Sequence, residues 1–265
     1  MESANSIRFL YEHFLSGITA KSLTSFYYAC SYAKVDYLKF MSVTASMTIK
    51  LVPHDLKDQP VLLCVDDTLI PKSGSKFEDV SKLFDHASHN GSNYLNGHCF
   101  VSLMLCVPVW NNNKIVYLSV PLGYRMWHKN ETKLELAASM IRDVMPELEL
   151  IHTVMILCDS WYVKKNFVSV INEYKNLYLV GNARVDSVMY DLPPAPTGQR
   201  GRPAKRGKRL SIDDDFVFSD TKVNGYYIGV RRVITNIFGD KPVVAYVTSP
   251  EKESGTKRLF FSTIA

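Results

Sequence analysis

Val61-Leu62-Leu63-Cys64-Val65-Asp66-Asp67-Thr68 sets five unbroken apolar residues against two acids and a threonine. A run that short and that apolar is the pattern of a strand buried on both faces, ending here at the acids. The pattern recurs once, at Thr153-Val154-Met155-Ile156-Leu157-Cys158-Asp159-Ser160. Between the two lie a polar connection (71–98) and two further apolar strands (99–109 and 114–124) joined by Asn111-Asn112-Asn113. Asparagine supplies the turn chemistry of a hairpin, so the first three strands read as an antiparallel meander. Thr132-Lys133-Leu134-Glu135 has capping-box spacing. It opens a helix with the stripe Leu134, Ala137, Ala138, Ile141 and Met145, and Pro146 ends that helix. After Asp159, the residues Val163, Phe167, Val170, Ile171 and Tyr174 keep helical spacing, and 177–185 reads as another strand. Strand–helix–strand alternation implies parallel pairing with right-handed crossovers.

Outward from this core the texture changes twice. Residues 1–58 read as a helical N-terminal region, closed by Pro53 and a polar stretch. Residues 59–185 form the α/β core. From 186 to 265 comes a basic linker, opened by Leu192-Pro193-Pro194-Ala195-Pro196, and then a β-rich insertion with strands over 226–238, 242–248 and 258–264.

Composition places the chain among ordinary globular proteins: 265 residues, 46% hydrophobic and 22% charged. The net charge of +5 is too small to indicate nucleic-acid binding by itself, so charge placement matters more. Five cysteines, with no C-x-x-C pair, read as reduced thiols of a cytoplasmic protein. The opening residues lack the features of a secretory leader, and no window reaches the ~18 apolar residues of a membrane span.

Asp67 and Asp159 each close an apolar strand. An aspartate there is commonly a turn former or a helix N-cap. Two in this topological order point to metal chemistry. If the first and fourth strands are parallel neighbours, both carboxylates emerge at one sheet edge, where a cation offsets their repulsion. Mg²⁺ (or Mn²⁺) suits such a site, because it takes oxygen ligands from one or two carboxylates and fills the rest with water and phosphate. Paired ions of this kind assist phosphodiester cleavage. Asp66 competes with Asp67 for the role, since neighbouring strand residues face opposite ways and only one can point at the metals.

Taken together, four segments resemble the DDE transposases of bacterial insertion sequences, a ribonuclease H-like superfamily of endonucleases. They are Leu63-Cys64-Val65-Asp66-Asp67-Thr68, Gly123-Tyr124-Arg125-Met126-Trp127, Ile156-Leu157-Cys158-Asp159-Ser160-Trp161-Tyr162, and Tyr190-Asp191-Leu192-Pro193 through Gly198-Gln199-Arg200-Gly201-Arg202-Pro203. The resemblance implies a mixed sheet of order 3-2-1-4-5, with a helical N-terminal region before it and a β-rich insertion after it. It implies cleavage and strand transfer at transposon ends, with Asp67, next to Thr68, and Asp159 as catalytic metal ligands. The partners it implies are double-stranded DNA (terminal inverted repeats and target) and a second copy in a homodimer, with no membrane. The family's third acid, a glutamate in a Y-x-x-R-x-x-x-E-x-x-x-x-x-x-K pattern, has no counterpart. Only Glu173, Glu251 and Glu253 follow Asp159, and none fits. The chain is therefore expected to be C-terminally truncated, with a two-metal site complete only when that glutamate is supplied, and to be inactive as it stands.

Arg200, Arg202, Lys205, Arg206, Lys208 and Arg209 lie within ten residues and are the candidate DNA contacts. Arg200-Gly201-Arg202-Pro203 also resembles a minor-groove AT-hook core. A solvated linker is the plainer reading of the same loop. His86, His89, His98 and Cys99 match no common zinc spacing. Trp161 and Tyr162 read as core packing or as DNA contacts. Two rivals stand beside the transposase: a ribonuclease H-like nuclease or resolvase, and a catalytically inactive remnant that binds only DNA or an intact transposase.

Overall fold

The computed structural model describes residues 6–74, 76, 78–84, 93–195, 203–252 and 255–264. The chain divides into two compact units, residues 1–40 and 41–265. In the first, α1 (Ile7–Leu10), a π-helical turn (Tyr11–Leu15), α2 (Ser16–Ile18) and α3 (Leu23–Tyr32) follow one another. The hydroxyls of Ser6 and Ser22 cap α1 and α3 by accepting the N–H groups of Phe9 and Ser25. On α3, Phe26 is partly buried while Tyr27, Tyr28 and Tyr32 are exposed. Helices this short cannot enclose a two-sided core, and none of these buries a residue.

α4 (Tyr37–Ile49) runs across the division and buries Met41, Ala45 and Thr48 at helical spacing. The second unit is built on one large mixed sheet. Its strands are β1 (Val61–Pro71), β2 (Ser81–Phe84), β3 (Tyr94–Asn111), β4 (Lys114–Met126), β5 (Val154–Cys158), β6 (Leu177–Ala183), β7 (Met189–Tyr190), β8 (Arg209–Leu210), β9 (Tyr227–Thr235), β10 (Val243–Ser249) and β11 (Arg258–Ser262). The spatial order is β2-β3-β1-β5-β6-β11-β10-β9-β7-β8, with β4 also on β3. β1 runs antiparallel to β3 and parallel to β5, and β5 runs parallel to β6. The β3–β4 hairpin turns through Asn112 and Asn113, both at positive φ, as a two-residue primed turn requires.

Three readings change. β1 does not stop at the acids but continues to Pro71, because the long partner β3 pairs with it as far as Pro71↔Gly97. The polar connection contains β2 and the start of β3. The helix after Asp159 is only α6 (Lys165–Val168), followed by a 3-10 turn (Ser169–Glu173). The late strands also join the main sheet, since β11 pairs antiparallel with β6.

α5 (Lys133–Val144) covers one face of the sheet, and its capping box between Thr132 and Glu135 is present. Leu136, Ala137, Met140, Ile141 and Val144 pack into one core with Val61, Leu63, Val65, Leu103, Leu105 and Ile156. On the opposite face Leu62, Cys64, Met104, Met155, Leu157, Tyr178 and Val180 are only partly buried. Among the described residues no helix is long and apolar enough to cross a membrane.

Candidate active site at the ends of β1 and β5

The parallel register of β1 and β5 ends at Val65↔Cys158, both on the α5 face. Side chains alternate along a strand, so Asp66, the next residue of β1, falls on the opposite, open face, while Asp159 directly follows the last residue of the neighbouring β5. Asp67 returns to the face under α5, in line with buried Val61, Leu63 and Val65.

The surroundings of the three acids follow this division. Asp67 is enclosed, with a side chain only 18% exposed. Its Oδ2 accepts Lys133 Nζ at 2.7 Å and the Cys99 thiol at 3.4 Å, and its Oδ1 accepts the Tyr162 hydroxyl at 3.2 Å. Burial alone would lower the pKa of Lys133, but the hydrogen bond and charge of Asp67 outweigh it and raise the value. The Cys99 thiol is pushed up to about 11, first by burial, so it stays protonated and donates. The Tyr162 phenol is raised by burial and then by the negative charge of Asp67.

Asp66 and Asp159 are exposed. Asp66 Oδ1 accepts the N–H of Asp67 at 2.8 Å, and Asp159 Oδ1 accepts the N–H of Trp161 at 3.0 Å. The Asp159 pKa is raised, first by partial desolvation at the strand end. The N–H groups of Trp161 and Tyr162 oppose the shift, while Asp66 and then Asp67 add to it by repulsion.

The turn after Asp159 is packed from below. Tyr162 is fully buried, and Val163 Cγ2 lies 2.5 Å from where a Cβ on Gly181 would stand. Only glycine at 181 lets the turn sit this close to β6. Trp161, between these anchors and Asp159, points outward at 47% exposure. Lys164 Nζ lies 3.7 Å from its ring centroid and Lys133 Nζ 5.7 Å.

Lys133 is the residue that sequence reasoning passed over. The capping box accounted for its neighbours and hid it. The available signal was electrostatic, because a cation in the first turn opposes the helix dipole and asks for an anionic partner. The Gly123–Trp127 segment is structural. Arg125 binds Asp143 (2.6 Å) and Ser139 (3.0 Å) on α5, and Trp127 Nε1 donates to the Glu131 carbonyl (2.7 Å).

Of the basic cluster, Arg200 and Arg202 lie outside the described residues, as do His86 and His89. Lys205 pairs with Asp240, Lys208 with Asp215 at 2.5 Å, Arg206 lies 5.0 Å from the Tyr190 ring centroid, and Arg209 sits exposed on β8. His98 Nε2 meets the Glu78 carbonyl at 2.8 Å rather than a metal cluster. Among the described residues, no group of three or more His, Cys, Asp or Glu could hold a metal ion.

A family model described as DDE superfamily endonuclease matches residues 24–222, about three quarters of the chain. No curated protein matches. Among solved structures, the crystal structure of the NurA nuclease from Sulfolobus solfataricus is similar at 7% identity and a TM-score of 0.33, over 92% of this chain and 79% of that one.

Proposed function

The chain belongs to the DDE superfamily endonucleases, and from that premise we propose that it acts on DNA phosphodiesters with Asp66 and Asp159 as the metal-holding pair. The observation that supports this reading is the parallel pairing of β1 and β5 up to Val65↔Cys158, after which each segment continues with an exposed aspartate. The residues suit Mg²⁺ or Mn²⁺, because Asp159, partly desolvated and repelled by the charge of Asp66, would gain from a hard cation that leaves its other positions for water and phosphate. Such an ion, when bound, supplies an activated water and stabilises the leaving oxygen.

The chain's own groups do the remainder. Asp66 and Asp159 present oxygens toward solvent at one edge. Lys133 neutralises Asp67 behind them, so the site carries two uncompensated charges and not three. Tyr162 ties the turn after β5 to β1 and fixes where Asp159 emerges. On this reading the first metal ligand is Asp66, in place of the Asp67 that its position before Thr68 favours, and Asp67 anchors the supporting network. In the finer reading the substrate is double-stranded DNA at transposon ends, engaged with help from Arg209 and its basic neighbours.

The absence of a three-carboxylate group among the described residues favours one alternative, a chain that binds DNA or an intact transposase without cutting. One assay separates the two. The purified chain is incubated with supercoiled and linear duplex DNA in Mg²⁺ or Mn²⁺, beside Asp159→Asn. The nuclease reading expects metal-dependent nicking that the variant lowers at least about 100-fold. DNA binding with no nicking by the unmodified chain would leave the binding-only reading.

A further inference from the structure

Trp161 resolves an ambiguity of the sequence, where it and Tyr162 stood together as core or DNA contacts. The two separate completely: Tyr162 is 0% exposed and Trp161 is 47% exposed. This exposure does not come from a loose turn. Asp159 Oδ1 holds the Trp161 N–H, the Tyr162 carbonyl accepts the Lys164 N–H at 2.7 Å, and Val163 is packed against Gly181. A large, rigid aromatic side chain is therefore held outward two residues from a site carboxylate, with the Lys164 ammonium against its ring and Lys133 nearby.

We propose that Trp161 is a stacking platform for a nucleobase next to the phosphate that Asp66 and Asp159 address. Every base has a π-face, so such a platform is tolerant of sequence. It takes a base that is unpaired or drawn out of the duplex at a strand end. An exposed ammonium–ring contact is weaker than base stacking. An incoming base thus displaces Lys164 from the ring, and its ammonium turns to the adjoining phosphate. The inference rests on the nuclease reading for its substrate, but it concerns binding alone and can fail independently.

The test is DNA binding by the full chain in EDTA, where no cleavage is needed. The probe is a single-stranded DNA 12-mer carrying 2-aminopurine, beside a series in which each position in turn is abasic. Trp161→Ala is expected to weaken binding about tenfold and to relieve 2-aminopurine quenching, while Trp161→Phe keeps affinity within about threefold. Removing the stacked base should cost the unmodified chain about tenfold and cost Trp161→Ala nothing further, the non-additivity of two partners in one contact. If Trp161→Ala binds every probe within about twofold of the unmodified chain, or still quenches, the platform is refuted. Nicking absent, or not lowered in Asp159→Asn, with this binding pattern present overturns the nuclease reading alone; nicking lost in Asp159→Asn with this pattern absent overturns the platform alone.

Discussion

Asp66 and Asp67 are one peptide bond apart on β1, yet they occupy two differently built regions. Behind Asp67 lies the α5 face, where an ammonium, a phenol and a thiol donate to its carboxylate. In front, the exposed Asp66 and Asp159 each accept a backbone N–H, and Asp159 is repelled by the charge of Asp66. The covered side is satisfied electrostatically and serves the fold. The open side keeps charge that folding does not neutralise, and that is where a cation or a phosphate-bearing ligand can gain. Strand alternation alone produces the division.

The largest expected effect lies on the covered side. Lys133→Ala should leave a partly buried carboxylate without its cation and lower stability by about 2 kcal/mol, roughly 4–8 °C in Tm. Adding Asp67→Asn should recover much of that loss, since the stranded charge is then gone. Thermal unfolding of the two single variants and the double variant measures this. Strictly additive losses would mean that the pair is not coupled and that the contrast between the faces is not electrostatic.

That covered network was only partly legible in the sequence. The strands at 61–65, 99–109, 114–124, 153–158 and 177–185 declare themselves through short, largely apolar runs, and the helix at 133–144 through its capping box and stripe. The continuation of β1 to Pro71 was hidden because Asp66-Asp67-Thr68 interrupts the apolar run, and Leu69-Ile70 alone is too short to read as strand without knowing that β3 extends beside it. Lys133 was hidden because it meets Asp67 from 66 residues away. Family likeness points at the aspartate beside Thr68, whereas the proposal of Asp66 rests on which face of β1 each acid takes, and that depends on strand pairing and not on local pattern. The linker cations looked alike in sequence, yet Lys205 and Lys208 are paired with acids while Arg209 is exposed on β8.

The smaller effect belongs to the open side and to pH. The folded-state pKa of Asp159 is raised, so the folded chain holds this proton more tightly than the unfolded chain does. The resulting stability is present below the unfolded value and is lost as pH rises through the folded one. Above that range the ionised Asp159 is a cost, and Asp159→Asn should be more stable than the unmodified chain, by no more than about 1 kcal/mol for a group this exposed. The difference should vanish in acid. Denaturant titrations at pH 3 and pH 7 check the sign, and a variant less stable at pH 7 would mean that Asp159 is a structural acid like Asp67.

The most direct test of the two-sided account is Mn²⁺ binding, followed by water proton relaxation, to the unmodified chain and to Asp66→Asn, Asp67→Asn and Asp159→Asn. Asp66→Asn and Asp159→Asn should each weaken binding at least about tenfold, while Asp67→Asn stays within about threefold once its folding is verified by circular dichroism. Loss of binding in Asp67→Asn with Asp66→Asn unaffected would contradict the assignment and return the metal to the α5 side of β1.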